Sequence, residues 1–334
     1  MEKLNFFKRL TIVSLFAVYT LILIGASVRA SGSGMGCPDW PTCFGRIIPP
    51  ISESQLPPDY QKIYAPKLAG KNQTLEKFNV QKTWTEYLNR LFGVFVGFLS
   101  LCIFLFSLYF RKTHKKLMCL SLSIFVLVCL QGGLGAIVVA TNLLPGMISA
   151  HMIIALIIMS LYIYLIFSIR LSSNAEQNFR LPTNTPLKEY KKTYYLIAFV
   201  LSILLLQILM GTQVREMIDF AGKITNERSQ WVNLLSELFY VHRSFSWVII
   251  IANIFLLFTI YKHFKNTFLF SHQMIVCLLI TLQIISGSLL NHYEFPIIVQ
   301  PAHLLLATII LGIQFNFFIQ LKHHRKSLTL INAL

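Results

Sequence analysis

The sequence predicts an all-α integral membrane protein whose eight transmembrane helices form two parallel-repeat four-helix bundles. Three observations carry that expectation: apolar runs of spanning length along the whole chain, a one-sided distribution of basic residues, and an internal repeat. Of 334 residues, 55% are hydrophobic and only 13% charged, against about 25% charged in a soluble domain. The deficit is spread over the full length, and no polar stretch is long enough to build a soluble domain. A net charge of +16 would point to nucleic acid in a soluble protein. Here basic loops beside a membrane account for it, and the reading includes no nucleic-acid partner.

The apolar runs stand at roughly 10–28, 87–110, 117–140, 147–169, 194–213, 236–261, 268–290 and 297–320. Each is near the ~20 residues with which a helix crosses the hydrocarbon core. The strands of a β-barrel would be shorter and would alternate in polarity. The first run follows Lys3, Lys8 and Arg9, as a signal peptide would. It is longer than such an apolar region and lacks a convincing small-residue cleavage pattern, so it reads as a retained first helix.

Basic residues set the expected orientation. With the N-terminus inside, Arg111, Lys112, Lys115 and Lys116 fall inside too. So do the segment from Arg170 to Lys192, the pair Lys262 and Lys265, and the cluster Lys322, Arg325 and Lys326. The connections after Val139 and after Asn291 carry no Lys or Arg. This pattern predicts a multi-pass protein of the cell (inner or plasma) membrane with both termini cytoplasmic. The long segment 30–84 then lies outside, irregular because of Pro49, Pro50, Pro57 and Pro58.

The repeat is the most informative feature. LQGGLGAIVVATNLLPGMISAH (130–151) aligns without gaps with LQIISGSLLNHYEFPIIVQPAH (282–303). Gln131 falls on Gln283, Gly135 on Gly287, and His151 on His303. Upstream, EYLNRLFG (86–93) faces FYVHRSFS (239–246), which pairs Asn89 with His242 and Arg90 with Arg243. Gly25, Val28 and Arg29 likewise match Gly211, Val214 and Arg215. Both copies begin inside, so they are parallel repeats about an axis along the membrane normal. The expected organisation is an N-terminal four-helix half at 1–170, a cytoplasmic linker at 171–193 and a C-terminal four-helix half at 194–334. Parallel repeats also disfavour a transporter of inverted-repeat design.

Of nine histidines, His114, His263, His272, His323 and His324 fall in basic segments or at interfaces, and His292 falls in an outer connection. His151, His242 and His303 each lie within the first turns of a run that descends from outside to inside. An ionisable side chain inside a membrane is costly and points to function. His242 and His303 stand at similar depth in one half, which suits the two axial positions of a heme iron. A hydrogen bond to a neighbouring helix is the alternative for each imidazole. Zinc fits poorly, because no Cys or Asp completes a ligand set there. Arg90 and Arg243 suit bidentate contact with heme propionates, and snorkelling to lipid headgroups explains them equally well.

The segment GASVRASGSGMGCPDWPTCFG (25–45), the helix start at Glu86 and the two SAH and QPAH blocks together resemble the heme A synthase family. The resemblance covers most of the chain. It implies an eight-helix oxidoreductase of heme A biosynthesis and cytochrome oxidase biogenesis, which converts the C8 methyl of heme O to a formyl group. By that likeness, His242 and His303 would hold a bis-His heme b. His151 would face the substrate heme O, and Glu86 would be the catalytic carboxylate. Heme O synthase is the neighbouring protein so implied, with membrane lipid around the chain and homo-oligomerisation left open.

One position departs. The family pattern is Glu-x-x-His, whereas this chain has Glu86-x-x-Asn89. Asn is no substitute for imidazole as a strong axial ligand. Either His151 alone holds the substrate iron, with Asn89 bonding a water or another ligand, or this half has changed its task. The competing reading is therefore a non-catalytic heme-binding or heme-handling protein of the same fold. Glu86 lies three residues before Asn89 on the same helix face, as a proton acceptor beside the substrate would. A charge at the helix N-terminus is its alternative role. Cys37 and Cys43 fall in the outer segment, where a disulfide is permitted, and some members of the resembled family carry such a pair. Cys102, Cys119, Cys129 and Cys277 read as packing residues in helices.

Overall fold

The computed structural model describes residues 2–65, 77–141, 146–173, 185–225 and 227–331. Nine α-helices are present among them: α1 (Glu2–Ala30), α2 (Tyr60–Tyr64), α3 (Val80–Ser107), α4 (Lys115–Ala140), α5 (Met147–Ser172), α6 (Leu187–Ile224), α7 (Glu237–Phe264), α8 (Phe268–His292) and α9 (Val299–Ile331). All but α2 are long and apolar enough to cross a membrane, so eight spans are observed in an all-α chain. The described residues contain no strand beyond an isolated bridge between Cys43 and Arg46. Of the expected linker at 171–193, residues 174–184 lie outside the described residues.

Several hydroxyls inside these spans are satisfied within their own helix. Thr11 Oγ1 donates to Phe7 O at 2.8 Å, and Ser121 Oγ donates to Leu117 O at 2.8 Å. In lipid there is no water to do this, so back-bonding to the preceding turn lets a hydroxyl enter the span.

The chain separates into two compact units, Glu2–Leu165 and the residues from Ile166 onward. In the first, α1 packs on α3 and α3 on α4. The α3 helix begins at Val80, ahead of the apolar run at 87, because Asn79 caps it and accepts from Lys82 N at 3.0 Å. Glu86 therefore sits well inside the helix, and the reading of it as a terminal capping charge is set aside.

In the second unit, α6 packs on α7 and α9, α7 on α8, and α8 on α9, which closes a four-helix ring. A fully buried polar triad ties three of its helices together. Gln314 Nε2 of α9 donates to Asn253 Oδ1 of α7 at 2.7 Å, and Gln273 Nε2 of α8 donates to the same oxygen at 3.1 Å. Amides that bond across helices act as glue where no hydrophobic force separates protein from lipid. Helix α6 outruns its apolar stretch at both ends. Tyr190 near its start is fully buried, and Val214 and Ile218 near its end pack with Leu235, Phe239 and Phe295. Hydropathy alone ended that helix too early, because packing and not lipid stabilises its last turns.

Candidate functional site

Most of the candidate residues were named from sequence, and the helices bring them into a recurring local arrangement. On α6, Gly211 faces α7 so closely that a β-carbon added there would stand 3.1 Å from His242 Cε1. On α8, a β-carbon at Gly287 would stand 3.2 Å from His303 Cε1. On α4, one at Gly135 would stand 3.6 Å from His151 Cε1. Each imidazole thus lies against bare backbone, tightly at Gly211 and Gly287, where a β-carbon would push the ring, and in ordinary contact at Gly135. Glutamines one turn before two of these glycines brace the histidine's own backbone. Gln131 Nε2 donates to His151 O at 2.9 Å, and Gln207 Nε2 donates to His242 O at 3.0 Å. Gln283 stands at the same spacing before Gly287.

The second ring nitrogens differ. His303 Nδ1 shares a 2.8 Å hydrogen bond with Ser286 Oγ, which fixes the ring's rotation. His151 Nδ1 and His242 Nδ1 are buried without a protein partner. A ring held through Nδ1, as Ser286 holds His303, presents Nε2 to a ligand, and each of these rings stands beside bare glycine backbone. The residues present therefore suit heme ligation at His242 and His303. The remaining histidines do not join them. His272 Nδ1 is bonded to Phe268 O at 2.6 Å, and the exposed His292, the last residue of α8, is bonded to Ser288 O at 2.8 Å.

Glu86 belongs to a second cluster, built where the segment between α1 and α3 docks on α3. Cys37 and Cys43 form a disulfide there, with Cα atoms 4.8 Å apart. The Cys37 N–H donates to Glu86 Oε2 at 2.8 Å, and Arg90 Nε donates to Glu86 Oε1 at 3.1 Å. Arg90 also donates to Cys37 O at 3.0 Å, Asp39 O at 2.6 Å and Thr42 O at 3.0 Å. With its second contact to Glu86, all five guanidinium N–H groups are spent. No donor remains for a propionate, so Arg90 works as a bracket between the disulfide segment and the carboxylate. Arg243, its counterpart, is exposed over the rings of Tyr240 and Phe239.

The docked segment has a small core of its own. Cys37, Cys43, Phe44, Leu56, Tyr60 and Tyr64 are buried together, with Phe44 edge-on to Tyr64 at 5.4 Å. Asp39 accepts from Phe44 N at 2.6 Å and Gly45 N at 2.8 Å, holding the turn. Burial, aided by the Asp39 carboxylate, pushes the Tyr64 phenol above its ordinary range. This docking was not foreseen from sequence. The signal available was Gly36, where a β-carbon would stand 2.4 Å from Lys82 O. A Gly36→Ala variant is expected to lift the segment off α3, and faster reduction of the Cys37–Cys43 disulfide by dithiothreitol would report it. Of the other cysteines, Cys119 and Cys129 prove exposed on α4, which corrects their reading as packing residues.

Eight long apolar helices in an all-α chain define a multi-pass membrane protein. The COX15-CtaA family profile, described as cytochrome oxidase assembly protein, matches residues 8–315, and the chain belongs to that family. Among its relatives, the heme A synthase of Ehrlichia canis is 27% identical over 89% of this chain and 87% of that protein. The heme A synthase of Bartonella bacilliformis is 23% identical over 85% of this chain and 83% of its own length. That of Shewanella oneidensis is 33% identical over 49% of this chain, a match that spans 45% of the relative.

Proposed function

We propose that the chain is a membrane oxidoreductase of heme A biosynthesis, oxidising the C8 methyl of heme O to a formyl group. The observation that carries this reading is the seating of His242 and His303 on Gly211 and Gly287 within one closed helical ring, in a chain of this family. His242 and His303 would hold a heme b, which supplies a one-electron redox centre when bound. The N-terminal half takes heme O, with His151 toward its iron and Glu86 as the proton acceptor during hydroxylation of the methyl carbon. Arg90 and the Cys37 N–H hold the Glu86 carboxylate in place. Arg243 is the remaining arginine suited to a propionate. Basic residues between spans favour cytoplasmic termini in the plasma membrane, with the disulfide segment on the other side. The chain and heme O synthase would meet through this substrate.

The test is co-expression with a heme O synthase in a host that makes no heme A, followed by heme extraction and mass analysis. Heme A is expected from the wild type and absent with Glu86→Ala. Bound heme b without heme A, with heme O supplied, would refute the synthase. It would favour a heme-handling protein, the reading for which Asn89 speaks.

A further inference from the structure

The arrangement of glycine against ligand recurs at a fourth place, where it is stripped. On α1, Gly25 faces α3, and the nearest atom to a β-carbon added there is Asn89 Oδ1 at 3.8 Å. Asn89 thus occupies the place that His242 holds opposite Gly211. Two features of the other corners are missing together. The imidazole is gone, and the position one turn before the glycine, Gln at 131, 207 and 283, is Leu21. An apolar Leu21 cannot donate to the Asn89 backbone as Gln207 donates to that of His242. This corner therefore differs from the other three in both the ligand position and the brace position. Within the same unit, the His151 corner is intact, with Gln131 bonded to the His151 carbonyl.

What remains at Asn89 is suited to a different task. Its Oδ1 is buried and has no protein partner. A carboxamide offers both donor and acceptor but binds iron weakly. We infer that the substrate heme in this chain takes a protein ligand on one face only, from His151. Asn89, beside Gly25, would leave the second axial place open to a small neutral diatomic ligand, with its amide as the polar group that corner offers. This rests on the reading that the N-terminal half holds a heme.

The test uses the purified full chain titrated with ferric heme b as a substrate surrogate, then reduced and exposed to carbon monoxide. Two hemes per chain are expected, one low-spin and inert to carbon monoxide, the other high-spin and forming the adduct. His151→Ala should remove the adduct-forming heme, whereas His242→Ala should leave that adduct in place. Asn89→His combined with Leu21→Gln should rebuild the corner, turn this heme low-spin and abolish the adduct. Two low-spin hemes and no adduct in the wild type would overturn the open position while leaving the heme site standing. A single heme indifferent to His151→Ala would overturn both, because the N-terminal half would then hold none. An adduct undiminished in the double variant, with that variant folded and two hemes bound, would show that the Asn89 face is not where the ligand enters.

Discussion

Replacing either His242 or His303 by alanine is expected to abolish the low-spin b-type spectrum of the purified protein. Low spin requires a strong ligand on both faces of the iron, and among the described residues these two imidazoles are the pair seated for it in the C-terminal unit. Dithionite-reduced minus oxidised difference spectra would read the loss directly. A subtler variant separates ligand identity from ligand position. Gly211→Val keeps both histidines but places a branched side chain where a β-carbon already stands 3.1 Å from His242 Cε1. The ring must move, and the low-spin signal should fall as it does in His242→Ala. Ser286→Ala, which removes only the 2.8 Å bond to His303 Nδ1, should keep the heme and shift its midpoint potential. A full low-spin spectrum in both alanine variants would refute the assignment.

The second large effect is expected at Arg90. Glu86 is only 3% exposed, so its carboxylate depends on the guanidinium and on the Cys37 N–H. Arg90→Leu leaves that charge buried and unpaired, which costs about 3–5 kcal/mol for a buried pair broken on one side. It also strips the acceptors Cys37 O, Asp39 O and Thr42 O of their shared donor. The expected results are a lowered unfolding temperature in detergent, an easily reduced disulfide and loss of heme A formation. Glu86→Gln in the Arg90→Leu background should recover part of the stability, because a neutral amide needs no counter-ion, yet none of the activity. An Arg90→Leu protein with unchanged stability and disulfide reactivity would show that the bracket is not what holds the segment.

Much of the architecture was legible in the residues. Each span announces itself through a local sum of apolar side chains, and the eight runs correspond to eight long helices. The histidines were legible for the same reason: an imidazole inside an apolar run stands out without knowledge of its neighbours. The ends of helices were less so. Helix α3 starts at Val80 and α6 runs on to Ile224, because Asn79 caps the one and Phe295 and Leu235 pack on the other.

The sequence by itself determined the membrane class, the number of spans and the three histidines, since transfer from water to lipid is paid residue by residue along one helix. Only the tertiary structure decided what those residues touch. Arg90 and Cys37 lie 53 positions apart, and no pattern in either neighbourhood says that one guanidinium will collect three carbonyls of a disulfide segment. The same holds for Gly25, Gly135, Gly211 and Gly287, which look like ordinary small residues until the facing helix places an imidazole, or Asn89, against each of them. A hydrogen bond or a close approach depends on two backbones meeting at ångström precision. Hydropathy is blind to that: the repeat in the sequence set Asn89 opposite His242, but only the packed helices showed its oxygen against Gly25 and without a partner.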